Sequence, residues 1–484
     1  MTFSRSSITQ FYMISARRIE IFSNCPIPRG KVVKIFFEGK ELPAYEGEPL
    51  AVALLAAGVR VFSRSSKYHR PRGPFCLLGQ CSSCLMRVDG EPNIRTCQIP
   101  CREGLRVERQ VGWPSAQFDL FRAIDFVYGE RLDHHTLLSS PAALNRLAAR
   151  FVRQLSGYGQ LPEQGREPLP FRQIDAEAVV IGAGPAGLAA ALALSAGGRK
   201  TILLEAASHP GGRLLDNPEG FSRLAELMAE LKKHPSLTIY TSTPVVAVYP
   251  ENLQVLATGK EQTLCLRPQR LLICTGDYEQ TPLLADNDLP GIFSLRALER
   301  MVFLFGVVPP EPVALSGYSI RLAASAKRLK EAGVKLAGVA CSDEKIAAEL
   351  KEAGLPVLPG LQACSFQGGK RLSAMELAPA PNHPPVKLLE CSSAAVESPA
   401  APAYELAYHA GCRVNFRSEG GFFVAIDDDG QTSHHRIFAA GHVTGSGPLD
   451  WAMERGRLVG QSLLKSWTER SFTAQTPSAQ PAGC

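Results

Sequence analysis

The chain has 484 residues, 45% of them hydrophobic and 20% charged, with a formal net charge of +6. That length suits about two to four domains with substantial cores, and the modest charge, without aromatic–basic interleaving, excludes a nucleic-acid binder. No run reaches the roughly 20 apolar residues of a spanning helix, and 13 cysteines without a disulfide framework point to a reducing compartment. The expected location is the cytoplasm, with a peripheral position on the inner face of a membrane as the variant.

Residues 1–30 are Ser-rich with scattered Arg and lack the apolar run and cleavage site of a secretory signal. They read as a flexible arm or a partner-binding extension. Residues 31–110 read as one small domain. KVVKIFFEGKEL gives two strands about the turn Glu38-Gly39-Lys40, and EPLAVALLAAG gives a helix. SSCLMRVDGEPNIRTC adds a strand, a turn at Asp89-Gly90 and a second strand that delivers Cys97. This is the element order of a β-grasp ferredoxin.

Within it, Cys76, Cys81, Cys84 and Cys97 follow the spacing C-x4-C-x2-C-x12-C. Structural zinc usually wants two CxxC knuckles, and only one is present. Three thiols in a short loop, with a fourth from a following strand, suit one [2Fe–2S] cluster. Zinc, a disulfide pair and bare thiols are the competing readings. Gly79, Ser82 and Ser83 leave room for backbone near the sulfurs. Cys101 reads as a small buried hydrophobe rather than a fifth ligand. Residues 1–75 hold 12 Lys and Arg against 5 Asp and Glu, densest in RSSKYHRPRG. That stretch is either a solvated loop or a docking surface beside the cluster.

A helical connector is expected over 111–172, including AALNRLAARFVRQL. The strand AEAVVIGAG then runs into GAGPAGLAAALALSAGG, and KTILLE ends at Glu205. Gly182, Gly184 and Gly187 in strand–turn–helix context, with an acidic residue after the next strand, form a dinucleotide fingerprint. Glu205 is placed to accept hydrogen bonds from an adenosine ribose. HPGGRLL, RLLICTGD and the late HHRIFAAGHVTGSGPLDWAMERGRLVGQSLL supply further glycine loops, which favour FAD over free NAD. The nucleotide-site residues are Gly182, Ala183, Gly184, Pro185, Ala186, Gly187, Glu205, Ala206, Gly212, Arg213, Val246, Thr275, Gly276, Gly441 and His442. They belong to one FAD-binding domain made of 173–282 and 405–470, followed by a flexible tail, 471–484.

Residues 283–404 are read as an inserted domain of NAD(P)-binding type with a broken fingerprint. In EPVALSGYSIRLAASAKRLKEAG, Gly317 survives, but Tyr318, Ser319 and Ile320 stand where further glycines are expected. Nicotinamide binding there is not favoured. No local base or nucleophile emerges, so no catalytic residue is assigned. His134-His135 and His434-His435 lack companion ligands and read as structural or surface.

Together, the stretches KYHRPRGPFCLLGQCSSCLMRVDGEPNIRTC and VVIGAGPAGLAAALALSAGG resemble the alpha-type subunits of heteromeric amino-acid and imino-acid dehydrogenases and oxidases. Members include sarcosine oxidase, opine oxidases, proline and hydroxyproline dehydrogenases, and hydrogen cyanide synthase. The resemblance implies an α/β chain in which a β-grasp ferredoxin-like domain precedes a two-dinucleotide-binding-domain, thioredoxin-reductase-like flavoprotein fold. It implies a [2Fe–2S] cluster on the four cysteines and FAD in the first site, which NAD or ATP fills in some relatives. Related complexes also place an additional FMN between subunits. The implied partner is an FAD-containing, amine-oxidising subunit of glycine or sarcosine oxidase type, with a small additional subunit in some complexes. The chain ends soon after AAGHVTGSGPLDWAMERGRLVG, so no aminomethyltransferase-like extension is expected. His442 departs from the Asp that many such flavoproteins carry after AAG. The implied function is electron transfer between flavin and cluster; the alternatives are a self-sufficient NAD(P)H:acceptor flavoreductase and a nucleotide-bound scaffold without turnover.

Overall fold

The computed structural model describes residues 16–66, 68–123, 125 and 167–473. Among them, those within 1–165 and 279–398 form one compact unit, and those within 166–278 and 399–484 form a second. Most of the connector expected over 111–172, His134-His135 and the last eleven residues lie outside the described set.

In the first unit, β1 (Val32–Phe37) alternates outward and inward side chains and buries Val33, Ile35 and Phe37. That two-residue period is what a sheet with one covered face demands. β2 (Lys40–Tyr45) returns antiparallel, and α1 (Leu50–Ala56) buries every residue from Leu50 to Leu55. β3 (Leu85–Val88), β4 (Glu91–Arg95) and β5 (Arg106–Glu108) complete a five-stranded sheet in the order β2-β1-β5-β3-β4. β5 runs parallel to β1 and antiparallel to β3. Cys97 sits just past β4, on the short 3-10 turn Thr96–Gln98.

The second unit opens with β6 (Phe171–Ile181), α2 (Pro185–Ala196) and β7 (Thr201–Leu204). α3 (Pro218–Leu231) and β8 (Leu237–Tyr240) follow, then β9 (Val245–Tyr249), β10 (Gln254–Thr258) and β11 (Thr263–Ile273). All four residues of β7 and the last four of β6 are buried, the near-continuous apolar run expected of parallel strands covered on both faces.

Between the two segments of that unit lies the remainder of the first. β12 (Ile292–Ser294), β13 (Val313–Gly317), α4 (Ile320–Glu331), β14 (Leu336–Cys341), α5 (Glu344–Glu352) and β15 (Val357–Pro359) lead the segment. β16 (Gln362–Gly368), β17 (Leu372–Ala378) and β18 (Lys387–Glu390) form a separate antiparallel sheet, and β19 (Ser393–Val396) rejoins the first. The parallel order is β12-β19-β13-β14-β15. Phe75 and Cys76 of the cysteine loop share one apolar cluster with Leu289, Ile292, Phe366, Leu372 and Met375, with Leu78 and Cys81 packed against it. The Ser294 amide also donates to the Phe75 carbonyl at 3.0 Å. The ferredoxin-like module and the inserted segment therefore share a core.

Residues 16–30 are not a loose arm. Arg17–Arg18 pairs antiparallel with Val307–Val308, Arg17 reaches Glu311 at 3.0 Å, and Arg18 grips Glu48 through two bonds of 3.0 and 2.8 Å. Backbone pairing and bidentate ion pairing together hold the segment down. The sequence hid this because the partners lie far along the chain.

The second unit closes with β20 (Ile437–Ala439) and α6 (Leu449–Thr473). Its sheet runs β8-β7-β6-β11-β10-β9, with β20 parallel to the end of β11. α6 lies on α2 through small residues four apart. A Cβ on Gly456 would fall 2.1 Å from the Ala186 carbonyl oxygen, and one on Gly460 would fall 3.0 Å from that of Ala190. Such a close crossing is open only to glycine against alanine.

Candidate functional site

The four cysteines of the loop fall into two pairs rather than one tetrahedral ring. The Cys76 and Cys81 thiols act on one another, and so do those of Cys84 and Cys97. Among the described residues, no three His, Cys, Asp or Glu side chains gather as a single-ion site. Two thiol pairs suit two irons with two protein ligands each. Cys76, Cys84 and Cys97 are at most 4% exposed.

Amides and hydroxyls are aimed at the sulfurs. The Leu78 and Cys81 amides donate to Cys76 Sγ at 3.4 and 3.3 Å, and the Gly79 backbone favours the charged form of Cys97. The Cys97 amide serves Cys84, whose carbonyl is held by the Thr96 hydroxyl at 2.9 Å, while the amide and hydroxyl of Ser83 serve Cys81. Hydrogen bonding, first from Cys76 and then from Ser83, lowers the Cys81 thiol to about 5 against the opposing effect of burial. Cys84 is lowered chiefly by the Cys97 thiol. Cys76 and Cys97 are raised, because each holds the proton its mate accepts and is itself buried. Such donors stabilise thiolate, the form that ligates iron. The donor set fits the cluster. Sequence reasoning missed Thr96 and Gln98, whose Nε2 lies 3.9 Å from Cys97 Sγ; the only signal was their position flanking the last cysteine.

Cys101 stands apart from the pairs. Its backbone is tied to Glu48 and Gly47, it is 2% exposed, and burial pushes its thiol up to about 12. Cys101→Ala should therefore retain the full iron and sulfide content of the native chain, as read by metal analysis; a loss above about half would make it a ligand.

The basic stretch before the loop is turned inward. Arg64 donates to the carbonyls of Ala116 and His69, both at 2.6 Å, and His69 Nδ1 lies 2.7 Å from Asp119 Oδ2. All three side chains are at most 2% exposed. Arg70 forms a bidentate pair with Asp125. Among the described residues of the densest basic stretch, Arg64 and Arg70 are thus neutralised at home. Aspartates some 50 residues downstream supply the compensation.

In the second unit, the turn after β6 assembles most of the other site residues. Gly182 has φ +98°, and a Cβ there would meet the Cys274 carbonyl oxygen at 2.4 Å. Gly187 lies so close to the turn that a Cβ would sit 1.8 Å from Gly182 O. Gly184 caps α2, with Pro185 at its first position, and meets nothing nearer than Gly212 Cα at 4.0 Å. Two glycines are therefore closed by protein, and the third faces open space at a helix N-terminus. That cradle fits a dinucleotide pyrophosphate.

Glu205 does more than sequence spacing suggested. Its carboxylate accepts the Ala183 amide at 2.7 Å and the Ala207 amide at 2.8 Å, so it braces the glycine turn itself and carries Ala206 between its contacts. The Gly211 amide donates to Ala183 O at 2.7 Å, which seats Gly212 against Gly184. Arg213 makes two bonds to Asp277, at 2.8 and 2.7 Å, fixing its guanidinium; the only signal for Asp277 in the sequence is its place after Thr275-Gly276. Thr275 Oγ1 donates to Ala403 O, and the Gly276 carbonyl accepts the Ala403 amide. Gly441 touches the same helix start, since a Cβ there would lie 2.6 Å from Ala186 Cβ. His442 Nε2 lies 2.8 Å from Gly447 O, and its ring stands 5.7 Å from Trp451. Val246 is the bulged, 57% exposed residue of β9, three residues past Thr243, whose amide donates to the Glu205 carbonyl at 2.8 Å. His434 and His435 stack on one another at 5.1 Å.

Comparison with known proteins agrees with both halves. Residues 30–112 match a 2Fe-2S iron-sulfur cluster binding domain, and residues 176–459 match the pyridine nucleotide-disulphide oxidoreductase family. The chain belongs to that oxidoreductase family. It is 29% identical over 385 residues to the sarcosine oxidase subunit alpha of Rhizobium meliloti, covering 72% of this chain but 38% of that relative. Hydrogen cyanide synthase subunit HcnB of Pseudomonas protegens is 27% identical over 59% of this chain and 70% of its own length. The crystal structure of L-proline dehydrogenase from P. horikoshii superposes over 91% of this chain and 75% of its own, with 21% identity and a TM-score of 0.67. That last likeness shows a shared fold. No described helix is long and apolar enough to cross a membrane.

Proposed function

We propose that this chain is the electron-transfer subunit of a heteromeric, flavin-dependent amino-acid or imino-acid dehydrogenase or oxidase of proline, hydroxyproline, opine or sarcosine type. The observation that carries the reading is the presence, in one oxidoreductase chain, of two thiol pairs, three of whose four cysteines are buried, and an open glycine cradle. Cys76, Cys81, Cys84 and Cys97 would hold a [2Fe–2S] cluster. The Gly182–Gly187 turn, Glu205, Gly212 and the Gly441-His442 loop would hold FAD. When bound, a flavin exchanges electrons in pairs or singly and the cluster exchanges them singly, which lets the two convert between these modes.

The chain's own contribution is positional. Gly184 presents an uncrowded backbone and the N-terminus of α2 to the pyrophosphate. Glu205 keeps that turn in register through Ala183 and Ala207. Amides and hydroxyls around the thiol pairs stabilise negative charge on sulfur and so set the cluster potential. Substrate oxidation, the removal of hydride from a carbon beside nitrogen, is assigned to a partner subunit with its own FAD. The names of the relatives, subunits of larger enzymes, support this division.

The test is co-purification from the native source. An FAD-containing, amine-oxidising subunit should accompany the chain. The assembled complex should reduce a dye with at least one of proline, hydroxyproline, sarcosine or an opine, while the chain alone should not. Equal turnover by the chain alone would overturn the reading.

A further inference from the structure

β13 ends at Gly317, and α4 begins at Ile320 behind the N-cap Ser319, the same strand–turn–helix plan as the first nucleotide site. In a nucleotide site the amides of such a turn point at phosphate. Here they point at a side chain. The Glu397 carboxylate accepts the Tyr318 amide at 2.9 Å and the Ser319 amide at 3.1 Å through one oxygen, and the Ser319 hydroxyl donates to the other. Glu397 follows β19 directly, and its own amide donates to Ser316 O at 2.8 Å, which fixes where its side chain starts. The residue is 8% exposed. A Cβ on Gly317 would fall 2.6 Å from the same carboxylate oxygen, so the close approach that glycine gives a ligand elsewhere is used by Glu397.

We infer that Glu397 closes the second dinucleotide-type site of this chain by occupying the anion seat that the pyrophosphate of a nicotinamide nucleotide requires. Its charge complements the amide dipoles and the positive helix end that would otherwise attract phosphate, and it repels a second anion. The broken fingerprint then has a physical account. With the seat filled from within, nothing demands glycine at Tyr318 and Ile320, which are 44% and 75% exposed. Glu397 is the residue that denies NAD(P)H to this chain and leaves the supply of electrons to another donor. This holds whatever nucleotide fills the Gly182 turn.

The full chain carrying its iron and sulfide is compared with Glu397→Ala and the near-isosteric Glu397→Gln. The probes are inorganic pyrophosphate and NADH, against potassium chloride at equal ionic strength. Readouts are thermal unfolding and hydrogen exchange of residues 317–323, which separates this turn from the Gly182 turn. In the native chain neither probe, up to about 1 mM, should protect that segment. Glu397→Ala should melt on the order of 5 °C lower, and pyrophosphate should restore the loss and protect 317–323, with Glu397→Gln intermediate. Protection of 317–323 by either probe in the native chain would show an open seat and overturn the inference. So would a Glu397→Ala chain that pyrophosphate restores no better than chloride, which would make Glu397 an ordinary helix cap. If the alanine chain does not fold, the same two outcomes are read on Glu397→Gln.

Discussion

Cys84→Ser should leave the purified chain with less than about a tenth of the roughly two irons and two acid-labile sulfides of a loaded [2Fe–2S] site, and with no EPR signal on reduction. Cys84 is paired with Cys97 and 1% exposed, so serine would replace a thiolate ligand by a hydroxyl that rarely ionises, in a site that water cannot readily complete. Cys76→Ser should act alike on the other pair. The chain should also lose stability, because metal binding contributes directly to the folding free energy of the loop that carries it. The measurement is iron and sulfide analysis on anaerobically purified chain, beside a melting curve. Stoichiometric zinc without labile sulfide in the native chain would overturn the assignment.

Gly184→Val and Gly187→Val should fail in different ways, and the contrast tests the first nucleotide site. Gly184 has φ −79° and ψ −173°, ordinary extended backbone that valine adopts without strain, and its Cβ would point into space. That variant should fold with a melting temperature within about 2 °C of the native chain. Its bound nucleotide should fall at least about tenfold, since the branched side chain blocks the pyrophosphate approach. At Gly187, by contrast, the 1.8 Å overlap with Gly182 O lies inside the protein. Relieving it should cost about 3 kcal/mol or more and lose both fold and nucleotide. Acid release and chromatography of the bound nucleotide, beside melting curves, separate the two. An isoalloxazine in the extract supports FAD. Adenine nucleotide alone would replace FAD while leaving the cradle as described. Full nucleotide retention by Gly184→Val would remove the site from this turn.

What the sequence made legible was local. The spacing of Cys76 to Cys97, the glycines of the 182–187 turn and the alternation in β1 each depend on residues near one another in the chain, where periodicity and turn chemistry act directly. What stayed hidden was long-range compensation. Asp119 and Asp125 neutralise a basic stretch some 50 residues earlier, and Glu311 answers Arg17 across nearly 300 residues. Glu397 belongs to the same class. From sequence, the Tyr318-Ser319-Ile320 run reads as decay of a motif, because the carboxylate that makes sense of it lies 78 residues on from Ser319. The His442 substitution was visible, but its engagement with Gly447 and Trp451 was not, since both contacts depend on how the glycine loop folds back.

The core shared by the cysteine loop and the inserted segment has a consequence for modularity. A ferredoxin that travels as an independent cassette must present a water-compatible face everywhere outside its own sheet. Here Phe75 and Leu78 are packed with Ile292, Phe366 and Met375, so excising residues 30–112 would bare an apolar seam on both fragments. Removing a single member such as Phe366, 2% exposed, takes away about 3–5 kcal/mol of packing from a seam that serves both sides. The two parts are therefore expected to open and close together as one cooperative block, although about 210 residues of chain separate Leu78 from Ile292. This ties the integrity of the cysteine loop to the inserted segment. A lesion in a strand that touches no sulfur can then register as iron loss.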